Sequence, residues 1–245
     1  ILRERKASDE LAASVTEGLQ AADGPDIVQL EGGLGGIGTA VRAGLLLPLS
    51  DASAQFGWSE RWDPGILARS SFAEDGSTYG AGTVFGVPLT GDIVGQFYNY
   101  ELALSRPARP YPESLDGLLE DLAAVQDAGM IPIVAGAQDD DLVRLFSAIA
   151  VAESSAAWAE DIAHGADGAT FDTPEVLAAA RAIAEIGRQG YLLEGWETLS
   201  HEEAVRLFAS GTGQFLWADA TVSRALTDAT DELAFSEPAW SAADG

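Results

Sequence analysis

Ser200-His201-Glu202-Glu203-Ala204-Val205-Arg206-Leu207-Phe208-Ala209-Ser210-Gly211-Thr212-Gly213-Gln214-Phe215-Leu216-Trp217 reads as a capped helix, a glycine break and a short apolar strand. Ser200 and Glu203 have the spacing of a capping box, in which the hydroxyl takes an orphan helix N–H and the carboxylate reaches back to the cap. Ala204, Leu207 and Phe208 share one helical face, Gly211 stops the helix, and residues 214–217 read as a buried strand. Such a unit is common in α/β sheets, so its shape alone says little about function.

Upstream, the same alternation recurs. Ser114 caps a helix with Leu115, Leu118, Leu119, Leu122 and Val125 on one face, closed by Gly129, and residues 131–135 follow as a strand. Asp139-Asp140-Asp141 opens an alanine-rich helical region running to about His164. Thr173-Pro174-Glu175 is an N-cap with proline at the first helical position, and that helix ends at Gly190. Before these lies residues 105–112, with Pro107, Pro110 and Pro112, a stiff extended connector and the best candidate boundary. Further back, residues 8–22 have helical spacing, 26–30 read as a strand, and 39–43 as a short helical turn at most. Residues 58–79 read as surface loop with short helix, and 84–88 and 94–98 as strands. Helices alternating with short apolar strands predict an α/β sheet sandwiched by helices.

At 245 residues the chain can bury roughly 70–75% of its unfolded surface, enough for one large or two small cores. Its charge is unusual: 39 acidic against 13 basic residues gives −26, and Lys6 is the only lysine. Nucleic acid and anionic membrane surfaces are poor partners for such a chain. High-GC codon usage with a solubilising surface accounts for this balance, and so does adaptation to high salt, where screening relieves self-repulsion. The absence of cysteine excludes a disulfide framework and thiol chemistry. No apolar run is long enough to span a membrane, and no signal peptide is visible. The first residue is Ile1, which suggests a processed, trimmed or partial chain.

Gly33-Leu34-Gly35-Gly36-Ile37-Gly38 fits G-x-G-x-x-G after a predicted strand, with Asp51 near the distance expected of a ribose-binding acid. A dinucleotide site also needs a helix long enough to cross back over the sheet. Only six residues separate Gly38 from Leu45, and Pro48 interrupts the next apolar segment, so a flexible loop at a strand's carboxyl end fits better. Glu31 at its start could accept hydroxyls, or be a solvated loop acid. Asp139, Asp140 and Asp141 are more simply an N-cap with dipole stabilisation than a metal site. His164 and His201 have no partner at ligand spacing and read as helix-end or exposed residues. No nucleophile elbow, zinc-protease helix or P-loop is present, and 39 acids supply too many carboxylate pairs for one to stand out.

Five stretches in chain order resemble the sugar-binding kind of extracellular solute-binding proteins of ABC transporters: 24–30 (Gly-Pro-Asp then apolar), 44–49 (Gly-Leu-Leu-Leu-Pro-Leu), 85–89 with 95–99, 115–135, and 203–217. The resemblance implies a partial two-lobe α/β fold of the periplasmic-binding-protein type II kind. It implies an N-terminal lobe over 1–103, a C-terminal lobe over 104–245 and a crossover around 99–112. Relative to the family the chain is expected to start after the usual first strand and helix and to stop before the return to the first lobe.

The implied ligand residues are Glu31, Gly32, Thr90 and Asp92 from the first lobe, and Gln138, Asp139, Trp217, Asp219 and Thr221 from the second. Thr221 stands where the family commonly has tryptophan, so Trp217 is the candidate stacking platform, with core packing as the alternative. An aromatic face beside a few placed polar groups suits a pyranose, which is apolar on its faces and polar at its rim. The expected protein is a carbohydrate-capturing extracytoplasmic component of an ABC importer, secreted, lipid-anchored or periplasmic. It is expected to be a monomer that meets permease subunits, without catalytic residue, metal or cofactor. An α/β enzyme, glycosidase or nucleotide-dependent oxidoreductase, is the alternative, and a receptor-coupled sensing lobe a weaker third.

Overall fold

A computed structural model describes residues 15, 17–21, 24–89, 93–99, 112, 114–229 and 233–236. The chain divides into two compact units: residues 1–91 with 163–166, and residues 92–162 with 167–245. Most of the connector 105–112 lies outside the described residues, as does most of the segment 8–22.

In the first unit the glycine-rich loop leads into α1 (Ile37–Arg42), followed by α2 (Ser50–Gln55), α3 (Trp58–Arg61) and α4 (Pro64–Ala68). Asp63 caps α4 by accepting the Gly65 N–H at 2.8 Å, with Pro64 at the first helical position. The strands β1 (Ser71–Phe72) and β2 (Thr83–Val84) pair antiparallel, Ser71 opposite Val84. A small core gathers Ile37, Val41, Phe72, Tyr79 and Phe85, with Leu30 and Leu46 against it. Gly38 is required here: a Cβ would come within 2.9 Å of the Phe72 ring.

Two expectations fail in this unit. Residues 26–30 form no strand, and Ile27 is 89% exposed. A strand is stable only with hydrogen-bonding neighbours, and no described segment pairs with this one. The strand expected at 84–88 shrinks to the two-residue β2, after which Phe85 donates its N–H to the Ser70 carbonyl.

The second unit is the sandwich that the periodicity predicts. Its sheet runs β4 (Phe215–Asp219), β3 (Val94–Asn99), β5 (Leu233–Ser236), with β3 antiparallel to both neighbours and Gln96 opposite Trp217. Beyond β4, Ile133 bridges parallel to Phe215 on one side and to Leu192 on the other. The expected strand at 131–135 is thus a short bridged segment. Its ladder bonds include Val134 N–H to the Phe215 carbonyl at 2.9 Å and Leu193 N–H to the Ile133 carbonyl at 3.0 Å.

Side chains alternate across β4. Phe215 and Trp217 join the core made with α5 (Leu115–Asp127), α6 (Asp141–Glu153) and α8 (Pro174–Gln189). Leu216 and Ala218 face the other core, with α9 (His201–Ala209) and α10 (Ser223–Ala229). Leu118 and Leu122 of α5, Leu145 and Ile149 of α6, and Ala179 and Ile186 of α8 are almost wholly buried. The helical region expected from Asp141 to His164 breaks at Ser154, and α7 (Ala156–His164) begins anew with Ser155 Oγ accepting the Trp158 N–H at 3.0 Å.

Candidate functional site

Residues 131–135, 191–193 and β4 run parallel, so their carboxyl ends lie on one edge of the second unit. Open α/β sheets place ligands at such an edge, because loops there are free of the packing that fixes the strands. Three loops meet at this edge. Ala137 donates its N–H to the Trp196 carbonyl at 3.0 Å, and Gln138 donates its N–H to the Leu199 carbonyl and its Nε2 to the Glu197 carbonyl. Gly136 fits against the Leu199 carbonyl so closely that a Cβ would lie 2.2 Å from that oxygen.

A polar network fastens the loops. The Asp141 side chain is 1% exposed. Its Oδ2 accepts the Gly136 N–H at 2.8 Å, and its Oδ1 accepts from His201 Nδ1 at 2.6 Å and from Arg144 Nη1 at 3.1 Å. Arg144 Nη2 reaches Asp219 Oδ2 at 3.6 Å, and Asp139 Oδ2 accepts the His201 backbone N–H at 2.7 Å. The hydrogen bond to Asp141 raises the His201 imidazole above its ordinary value, against the opposing effect of burial.

Of the residues expected to bind ligand, Gln138, Asp139, Asp219 and Thr221 come to this edge. Asp219 caps a short 3₁₀ turn (Ala220–Val222), with its Oδ1 accepting both the N–H and the hydroxyl of Thr221. Trp217 is 3% exposed, its ring centroid 5.9 Å from that of Phe215, within the core. Thr90 and Asp92 lie outside the described residues.

In the first unit, Gly32 with Gly33, Leu34, Arg69, Tyr79 and Ala163 lines an open recess of about 340 Å³. Glu31 is exposed beside it and closes the loop through its carbonyl, which accepts the Ile37 N–H at 2.9 Å. Tyr79 is braced by Phe72 and by the edge of His164, ring centroids 5.0 and 4.9 Å away. The helix after the glycine loop is six residues long and turns out through Ala43 and Gly44, so no dinucleotide-binding βαβ unit forms there.

Sequence reasoning missed Asp141, Arg144 and His201 as a group. Asp141 is not the cap of α6 but an inward acid in its first turn, and His201, at a helix end as read, is half-buried with Asp141 as its partner. Only the i, i+3 spacing of Asp141 and Arg144 was visible locally; the histidine lies 60 positions away. Among the described residues no group of three or more acids and histidines could hold a metal ion, and no helix is long and apolar enough to cross a membrane.

The sequence matches a family described as bacterial extracellular solute-binding protein over residues 1–236. No curated protein matches it by sequence. Among solved structures it is similar to a protein studied for xylan utilization by Caldanaerobius polysaccharolyticus (TM-score 0.75, 19% identity, 96% of this chain and 58% of that one). It is similar to a chitin oligosaccharide binding protein (TM-score 0.72, 22% identity, 93% and 55%). It also resembles the solute-binding protein RafE in complex with raffinose (TM-score 0.69, 16% identity, 98% and 60%). The fold is therefore the two-lobe periplasmic-binding-protein type II kind in part, and the chain spans a little over half the length of these structures.

Proposed function

The chain belongs to the bacterial extracellular solute-binding protein family, and from that premise we propose that it captures a carbohydrate outside the cytoplasm for an ABC importer. The observation that carries this reading is the family match over residues 1–236, together with a fold similar to proteins named for chitin oligosaccharide and raffinose binding. The chemistry at the carboxyl-end edge of the second unit is compatible with it. Asp139, Gln138, Asp219 and Thr221 offer acceptors and donors for hydroxyls, with no metal cluster among the described residues.

The proposed ligand residues are these four with Glu31 and Gly32 of the first unit, Thr90 and Asp92. Trp217 contributes only if its ring leaves the core. Binding works by closure of two lobes, about 1–103 and 104–245, whose ligand contacts stabilise the closed form. The closed form then meets permease subunits as a monomer. A charge of −26 makes nucleic acid an unsuitable partner.

Isothermal titration of the full-length gene product with xylo-, chito- and galacto-oligosaccharides and their monosaccharides tests the reading. Saturable heat with at least one of them is expected. Silence across the panel from a folded protein would sink the carbohydrate assignment.

A further inference from the structure

We propose that His201 is a proton-operated positioning residue for the carboxyl-end edge of the second unit: when charged it neutralises buried Asp141 and leaves Arg144 to hold Asp219, and when neutral it lets that hold go.

Asp141 is nearly inaccessible to water, so its charge must be met by protein groups. Two groups meet it, Arg144 at 3.1 Å and His201, a cation when protonated, at 2.6 Å. Arg144 is shared: its second terminal nitrogen lies 3.6 Å from Asp219, the longest contact of the network. The charged groups facing His201 are Asp141 and Arg144 of α6, Asp219 at the end of β4 and Asp139 before α6. Three carboxylates against two cations leave a net −1 with the imidazole charged, and −2 with it neutral.

A neutral ring keeps its Nδ1–H bond to Asp141 but no longer offsets the charge. Arg144 then remains the one cation facing Asp141 and Asp219 together. The buried acid holds the guanidinium more strongly, because Coulomb energy grows as the local dielectric falls. The long contact to Asp219 yields first. Asp219 carries the Thr221 N–H, so that loop loosens, while Asp141, held the more strongly by Arg144, keeps the Gly136 N–H. Since the same bond that closes the network favours the charged imidazole, the transition falls above the ordinary histidine range.

The chain has two histidines, so NMR resolves the titration directly, with His201→Gln assigning the signals. Amide hydrogen exchange of Gly136 and Thr221 is followed from about pH 5 to about pH 9, corrected for intrinsic rates. We expect protection of Thr221 to fall roughly fivefold through the His201 titration and that of Gly136 to hold, with both flat in His201→Gln. Thr221 protection that is flat in the native protein, or a fall that persists in the variant, would overturn the proposal.

A second measurement rests on the carbohydrate reading: affinity for raffinose, xylotriose and chitotriose on either side of the titration. A roughly fivefold loss at the alkaline side, absent from His201→Gln, is expected. Equal affinity on both sides would overturn the link to the ligand. Failure of every saccharide at every pH would count against the carbohydrate reading, with the latch still decided by the exchange data.

Discussion

At the scale of single residues, Asp141 carries the most consequence. Its carboxylate accepts a backbone amide, a guanidinium and an imidazole, and it is buried. Removing it leaves two cations and an N–H without their acceptor, so Asp141→Ala should lower unfolding free energy by about 3 kcal/mol in urea titration. His201 gives stability a pH dependence whose sign follows from its raised folded value. Its contribution is complete below the unfolded imidazole value of about 6.5 and is lost as pH rises through the higher folded one. Midpoints of urea unfolding should therefore decline with alkalinity in the native chain more than in His201→Gln. Gly136 offers a steric counterpart. Gly136→Ala drives a methyl into the Leu199 carbonyl, so the 136–138 and 196–199 loops must part, and a melting temperature unchanged from native would refute that packing.

Among elements, those whose signals are local were legible in the sequence. Ser200 and Glu203 form the expected capping box on α9, and Ser114 and Thr173 cap α5 and α8 as read. Ser200→Ala should cost about 1 kcal/mol of stability, measured by denaturant unfolding. Leu122 sits on the predicted face of α5 and is wholly buried, so Leu122→Ala should cost about 3 kcal/mol by the same measurement. The pattern failed for residues 26–30, whose short apolar run describes a strand that has no described neighbour to pair with. It also failed to see the break at Ser154, because alanine-rich sequence on both sides carries helical spacing without interruption.

For the whole molecule, the excess of acid sets the expectation. With −26 spread over 245 residues, self-repulsion opposes compaction, and added salt screens it. The melting temperature should rise from low to molar sodium chloride, with most of the gain by about 1 M, where the screening length is roughly 3 Å. An unchanged melting temperature would leave codon usage as the sufficient account of the composition. The family and fold class were readable from five short stretches in order, since loop and strand wording at turns is constrained locally. Gln138, Asp139, Asp219 and Thr221 of the polar edge were named from the resemblance, but the ionic group of Asp141, Arg144 and His201 was not readable, as its members come from α6 and α9 and meet the end of β4 only in space.

The sequence alone determined where α5, α8 and α9 start, which faces they bury and that β4 is covered on both sides, because periodicity and caps act over a few residues. Tertiary structure alone decided that Asp141, Arg144, His201 and Asp219 share one site, and that Trp217 lies in the core. Charges interact through space and strands need neighbours, and neither distance is written in the order of residues along the chain.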